Sequence, residues 1–457
     1  SLASPRSKSC ALRSGSVRGR VGGQRLASGF RFFTEGLQFD TAEGLHWPGG
    51  NVYLSHTAAE GRTPATGEFR ADRLDLAALS QIASRIPLSD TARDLLRQYQ
   101  IEGLVDTLQA SWQGALSDPQ RYEARGRVSR LAFLGRPGLS AGRAQPGWPG
   151  VAGATIDFDL TQSGGKGKLA ISRGALEFPG VFEEPRIPLD DVQAEAQWQN
   201  QDERISVNLA RLKLSSADVE GEFKGNWRTA EVRPGGARSR FPGVIDLQGS
   251  FTRATGARVY RYLPLAIPQD VRHYVRDAML TRTATNVAVR VRGDLNDLPF
   301  ADPRKGEFRF AGKVQGVTLA YVPRRLQRSE EPAWPALTAL SGELVFDRAS
   351  MRVNGARSEV LGAPGLSFPK VEAQIPNLMN DTTVLVSGEA KGPLGSALQI
   401  VNGSPISELI GRALAQASAS GDAGYRLKLT LPIHHIERSR VEGSVALAGN
   451  ELRITSD

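Results

Sequence analysis

Residues able to carry chemistry are sparse in this chain, and their spacing argues against a catalytic site. The five histidines are His46, His56, His273, His434 and His435. Only the last two are adjacent, and neighbours on a strand point to opposite faces, so they cannot jointly hold a metal without a bulge. Cys10 is the single cysteine, which excludes an intrachain disulfide and a cysteine-rich metal site. Gly167-Lys168 is followed by Leu169 rather than Ser or Thr, so there is no phosphate-cradling Walker loop. Gly165 to Ala170 fits a loose dinucleotide pattern, but it lies between two strands and opens no helix. Neither a nucleophile elbow nor a His-Glu-x-x-His zinc motif occurs. The carboxylates mostly alternate with apolar residues, as on a solvated strand face, and no two form an evident acid–base couple. The chain is read as a non-enzyme that needs no cofactor and no metal.

The aromatic residues have a structural reading and a functional one. Trp47, Trp148 and Trp334 each precede proline in loop-like contexts. They could form a carbohydrate platform or a membrane-interface anchor, but capping sheet ends and filling loop cores is the simpler reading. Tyr260, Tyr262 and Tyr274 are expected to pack a mid-chain helix against a sheet.

The elements that would position such residues are mostly strands. The 457 residues are 40% apolar, enough for a core, and include 49 glycines and 26 prolines, which suits many turns. Strict alternation marks Tyr122 to Leu134, Thr155 to Leu160, Arg204 to Leu209, Gly306 to Val314, Thr383 to Ala390 and Tyr425 to Leu431. About twenty such strands, with no βαβ rhythm, predict antiparallel pairing with one apolar and one wet face. Gly342–Phe346 and Met351–Val353 read as a hairpin. Pro137 to Pro149 reads as a loop. Helical spacing covers Leu76, Leu79, Ile82, Ala83 and Ile86. A second helix follows Ser89, with Ala92, Leu95, Leu96 and Tyr99 on one face. Further helices are expected near 268–280 and 405–417, the latter with Ser404 as N-cap and Pro405 at its first position.

Charge divides the chain unevenly. The net charge is +9, and seven arginines and lysines precede the first acidic residue, Glu35. Residues 1–34 therefore read as a basic flexible tail, 35–240 as a β-rich segment with two short helices, and 241–457 as a second β-rich segment. The Gly/Arg run 233–240 is the expected internal boundary. No nucleic-acid module accompanies the tail. No apolar run approaches the roughly 20 residues that span a bilayer.

A family resemblance rests on several short signatures. Arg261-Tyr262-Leu263-Pro264 is followed by the helix containing Tyr274. Then come Val291-Arg292-Gly293-Asp294-Leu295-Asn296-Asp297-Leu298-Pro299-Phe300 and Gly306-Glu307-Phe308. This series resembles the central region of the YhdP proteins, AsmA-like envelope proteins of Gram-negative bacteria. Trp47-Pro48-Gly49-Gly50, Phe182-Glu183-Glu184-Pro185, Trp334-Pro335 and Leu344-Val345-Phe346 look similar too.

The resemblance implies an elongated, curled antiparallel β-sheet with an apolar groove and a few short helices. It implies an internal portion of a periplasmic protein whose N-terminal helix, absent from this chain, anchors it in the inner membrane. It also implies a function, carrying phospholipid between inner and outer membranes, with acyl chains as the ligand and no nucleic acid. Exposing an acyl chain to water costs about 0.8 kcal/mol per methylene, on the order of 10 kcal/mol for a long chain, so a carrier must offer a continuous dry path. The candidate groove residues are Phe308, Phe310, Leu344, Phe346, Val384, Val386, Leu427, Leu429, Val445 and Leu447. The alternative is a structural or interaction β-repeat envelope protein in which these residues form a closed core without lipid.

Overall fold

The alternating segments pair as the pattern requires. A computed structural model describes residues 14–41, 46–82, 98–115, 118–140, 143–202, 204–231, 240–265, 267–281, 283–379 and 382–454. The fold is mainly β, with 64% strand; 22 strands join in antiparallel pairing without closing a barrel. The chain divides into two compact units, Ser1–Gly180 with Pro185–Lys213, and Val181–Glu184 with Leu214–Asp457.

The first unit contains β1 (Ser14–Leu26), β2 (Gly29–Thr41), β3 (His46–Trp47), β4 (Asn51–Thr57), β5 (Thr66–Asp75), α1 (Leu76–Ile82), β6 (Glu102–Ala115), β7 (Asp118–Phe133), β8 (Arg136–Ser140), β9 (Arg143–Trp148), β10 (Gly150–Thr161), β11 (Gly164–Glu177), β12 (Arg186–Gln201) and most of β13 (Arg204–Ser215). β1 pairs with β2, β2 with both β3 and β4, and the ladder continues through β5, β6 and β7, then β7 to β10, β10 to β11 and β11 to β12. Trp47 stacks on Phe39 and is buried with Leu74, Ala78 and Val105 beneath α1. Asp75 Oδ1 accepts the Ala78 N–H at 2.9 Å and caps that helix. The second helix expected after Ser89 falls on residues outside those described, apart from its end near Tyr99, as does most of the run 233–240.

Two stretches differ from expectation. Part of the basic tail forms β1, paired along its length with β2. Val17 and Val21 there are 57% and 61% exposed, so backbone hydrogen bonding holds the strand without apolar burial. Residues expected as a loop instead form the β8–β9 hairpin, with Leu139 opposite Ala144. Its Gly/Pro-rich composition hides the alternation that marks other strands.

The second unit contains β14 (Val219–Arg228), β15 (Val244–Thr255), α2 (Gln269–Ala278), β16 (Met279–Thr281), β17 (Thr283–Asp294), β18 (Gly306–Leu319), β19 (Leu337–Asp347), β20 (Ser350–Val360), β21 (Ser367–Ile375), β22 (Thr383–Pro393), α3 (Leu394–Asn402), α4 (Ile406–Leu409), β23 (Ser418–Ser420), β24 (Asp422–Pro432), β25 (Arg440–Leu447) and β26 (Glu451–Arg453). The ladder runs β14–β15–β17–β18–β19–β20–β21–β22–β24–β25. The β19–β20 hairpin is the expected one, closing at Asp347 opposite Ser350.

Helix α2 follows from its spacing. Val271, Tyr274, Val275 and Ala278 form one face and are all buried, while Asp270 in the first turn and Arg276 in the last suit the helix dipole. The 405–417 helix is shorter than expected: α4 stops at Leu409, and Gly411 and Arg412 take positive φ. The motif ending at Phe300 is structural. The Phe300 ring is fully buried between Gly293 and Gly306, where an added Cβ would lie 2.6 and 2.7 Å from it.

Candidate functional site

The register of the second unit collects apolar residues from distant segments onto one face. One cross-strand row runs Gly312, Leu344, Val353, Ala373, Val386, Leu429, Val441. A neighbouring row runs Phe310, Phe346, Met351, Ile375, and Val384 faces Leu431. On the other side of the first row, Leu427 lies between Gly388 and Gly443, and Tyr425 between Ala390 and Val445. All ten candidate residues share this face. The opposite face carries Glu389, Arg426, Lys428 and Glu442.

The face is not covered uniformly. Helix α2 packs over the row at Ile375, Val384 and Leu431, which are 0%, 4% and 0% exposed. Helix α3 packs at the far strand ends, where Leu394 is buried with Leu366, Ala390 and Tyr425. Beside α3 the apolar face forms a cavity of about 330 Å³, within the range of ligand pockets. Five candidates line it: Val386, Leu427, Leu429, Val445 and Leu447. Its rim is open, since Leu427 is 38%, Val445 52% and Leu447 51% exposed. Among the described residues that line it, only Lys428 is of a charged type, and its side chain belongs to the opposite face of β24.

The other five candidates lie elsewhere on the same face. Val384 is buried under α2, where Phe346 also packs, and Leu344 packs on an adjoining cluster around Val317 and Leu340. Phe308 and Phe310 contact each other, with ring centroids 5.0 Å apart. Sequence reading missed α3, which supplies Leu394, Ala397, Leu398 and Val401 to the cavity. Their i, i+3, i+4, i+7 spacing was the available signal, masked by Pro393 and Gly395. It also missed that Trp334, with Tyr321, forms part of the cavity wall.

The first unit repeats the two-faced pattern. Its apolar row Leu108, Gly126, Phe158, Gly167, Ala196 is half-buried throughout. Its wet face carries a ladder, Arg127, Asp157, Lys168, Glu195, that alternates in charge from strand to strand. Arg127 donates to Asp157 at 2.9 Å and Lys168 lies 3.4 Å from Glu195, so these charges compensate one another and favour the observed register.

A charged network secures α2 to residues 181–184 of the same unit. Arg272, 5% exposed, donates to Glu183 at 3.1 Å, and His273 Nε2 lies 3.0 Å from the same carboxylate. Arg261 bridges Glu184 at 2.8 Å and Asp218 at 2.6 Å. The Tyr262 hydroxyl donates to Asp218 at 3.2 Å; its pKa is pushed up to about 12, first by burial and then by that carboxylate. His434 and His435 meet different carboxylates, Asp270 and Glu437. These groups are engaged with one another and present no free nucleophile.

The network has a pH consequence. The His273 hydrogen bond, with Arg272 adding to it, holds the Glu183 carboxyl below the ordinary glutamate range. A depressed folded-state pKa contributes stability above the ordinary value, and that stability is lost as pH falls through the folded one. The carboxylate is 38% exposed, so screening keeps the effect small. Melting temperature is expected to fall with acidification below about pH 4.5, less steeply in Glu183→Gln. Parallel pH profiles for the two proteins would remove Glu183 from this role.

The signatures at Arg261–Pro264 and Val291–Phe300 thus lie beside α2 and in the slot for Phe300. Across residues 7–457 the sequence matches the family model described as YhdP protein. The chain belongs to the YhdP family. Membership makes it an AsmA-like envelope protein. No curated protein and no solved structure gives a significant match to this YhdP-family chain. Among the described residues no helix is long and apolar enough to cross a membrane.

Proposed function

We propose that this YhdP-family chain forms part of a conduit carrying phospholipid between inner and outer membranes. The acyl chains lie on the apolar sheet face while the alternate side chains meet water. Catalysis plays no part in this reading, which locates the chain in the periplasm, within a protein anchored to the inner membrane. The observation that carries it is the apolar face of the second unit, continuous from strand to strand and open at Leu427, Val445 and Leu447. Contiguous exposed apolar surface marks a binding site more often than a finished core. The complete burial of Ile375 and Leu431 under α2, and the burial of Ala390 and Tyr425 under α3, fit the alternative, a closed structural core, at those places, while the face stays open at Leu427, Val445 and Leu447.

Each methylene held on such a face avoids about 0.8 kcal/mol of exposure to water. Phospholipid is therefore expected to survive purification in non-denaturing buffer. Solvent extraction and mass spectrometry should find it in amounts comparable to the protein. Extracts without lipid, from protein that was offered vesicles, would contradict the conduit.

A further inference from the structure

Next to the apolar cavity lies a second one of about 370 Å³, and the two share Trp334, Pro335 and Ile400. The second cavity differs in chemistry. Arg324, Gln327, Gln399 and Ser404 contribute to its lining, whereas apolar and aromatic side chains line the first, Lys428 pointing to the other face of its strand. Arg324 is held in place by neutral acceptors: Nη1 donates to Gln327 Oε1 at 3.1 Å and to the Glu331 carbonyl at 2.9 Å, and Nη2 donates to the Ser329 carbonyl at 2.9 Å. Arg324 is exposed, and among the described residues no carboxylate stands within 4.0 Å of it, so its charge is open to an anion from outside the protein. Gln327 in turn is fixed, its Nε2 donating to the Val322 carbonyl at 2.6 Å.

Trp334 stands between the two cavities, with Tyr321 against it on the apolar side. Tyr321 and Trp334 meet edge-on at 6.2 Å, and both line the apolar cavity. Tyrosine and tryptophan combine an apolar body with a polar tip, which suits them to the border between hydrocarbon and water. The series from Leu429 and Leu398 through Tyr321 and Trp334 to Arg324 therefore runs from apolar to amphipathic to cationic. That is the order of groups along a lipid, from acyl chain through glycerol to phosphate.

We infer that the second cavity is a headgroup subsite, in which Arg324 pairs with the phosphate of an amphiphile whose acyl chain occupies the adjoining apolar cavity. This rests on the conduit reading and adds to it a fixed position and a selectivity for phosphate-bearing lipid. With both Nη1 hydrogens and one Nη2 hydrogen donated within the loop, Nε–H and the second Nη2 hydrogen are the two donors left for a phosphate, a pairing that an ammonium does not reproduce. Lys428, across the strand pair from Glu442, is assigned no such role.

The test offers lipid-depleted protein either phosphatidylglycerol or diacylglycerol with the same acyl chains, and measures what each protein retains after gel filtration. Wild type is expected to retain the phospholipid about tenfold better. Arg324→Gln should remove that preference while leaving diacylglycerol retention unchanged. Arg324→Lys should restore part of it, and Lys428→Gln should leave it intact. Unchanged diacylglycerol retention also shows that Arg324→Gln remains folded. Equal retention of both lipids by wild type would overturn the subsite and leave the conduit standing. Retention of neither would overturn both. Loss of preference in Lys428→Gln instead would overturn the assignment to Arg324. So would inorganic phosphate binding that depends on Arg324 while the lipid preference does not.

Discussion

Leu427→Asp is expected to reduce lipid retention at least tenfold and leave the protein folded. Leu427 stands at the open rim of the cavity between Gly388 and Gly443, where no side chain flanks it along the row, and it is 38% exposed. A carboxylate at so exposed a position stays hydrated, so stability changes little. Laying an acyl chain over it would strip that water, and burying an unpaired charge against hydrocarbon costs several kcal/mol. Arg426→Ser changes the adjacent residue on the opposite face. Arg426 lies 3.8 Å from Glu389 with 81% of its side chain exposed, so losing that pair should be nearly neutral. Lipid retention measured on both variants, with circular dichroism to confirm folding, checks the pair. Equal loss in both, or in neither, would show that the two faces do not differ in the way the register indicates.

Leu431→Ala is expected to show the opposite behaviour, a large loss of stability. Leu431 is fully buried, paired with Val384 and covered by α2 through Val271, Tyr274 and Val275. Removing a fully enclosed leucine costs about 2 to 5 kcal/mol, through lost transfer energy and the cavity left behind. Tyr274 also fastens α2 by donating from its hydroxyl to the Tyr321 carbonyl at 2.9 Å, and burial pushes its pKa up, so it remains neutral and able to donate. Denaturant unfolding measures the loss, and hydrogen exchange in α2 should rise with it. A change below about 1 kcal/mol would mean that the helix is not seated as described. The two leucines are four residues apart on one strand face, yet one is expected to govern ligand and the other stability. What separates them is the element above each: an open rim in one case, α2 in the other.

That contrast also shows how far the sequence could be read. Alternation in Gly306 to Val314 and Tyr425 to Leu431 was enough to assign strands and their apolar faces, because a period of two is a local property. The helix expected near 268–280 is α2, and its buried face, Val271, Tyr274, Val275 and Ala278, has a spacing that is local in the same way. Cover was not local. Val386 meets Leu429 only through the β22–β24 pairing, with α3 and α4 intervening in the chain; Val384 is buried within the α2 cluster, whereas Val386 packs at the edge of that cluster and lines the cavity. Nothing near Val384 in sequence marks it as core or Val386 as cavity wall. Strand β1 escaped notice because backbone pairing, rather than an apolar face, sustains it, and the β8–β9 pair because its Gly/Pro-rich composition hides any alternation. Helix α3 escaped because Pro393 and Gly395 resemble turn punctuation, although a proline just ahead of the first turn is compatible with a helix. The signatures around Arg261 and Phe300 identified the family through residues that brace α2 and fill the Gly293–Gly306 slot, and none of them lines the apolar cavity.

The conduit is tested most directly by a photoreactive side chain placed in turn at Leu427, Leu429 and Arg426, followed by irradiation in vesicle-loaded protein and mass spectrometry of the adducts. Covalent phospholipid adducts at Leu427 and Leu429, with none at Arg426, are the expected result. Adducts absent from all three positions, or equally abundant at Arg426, would contradict lipid passage along the apolar face.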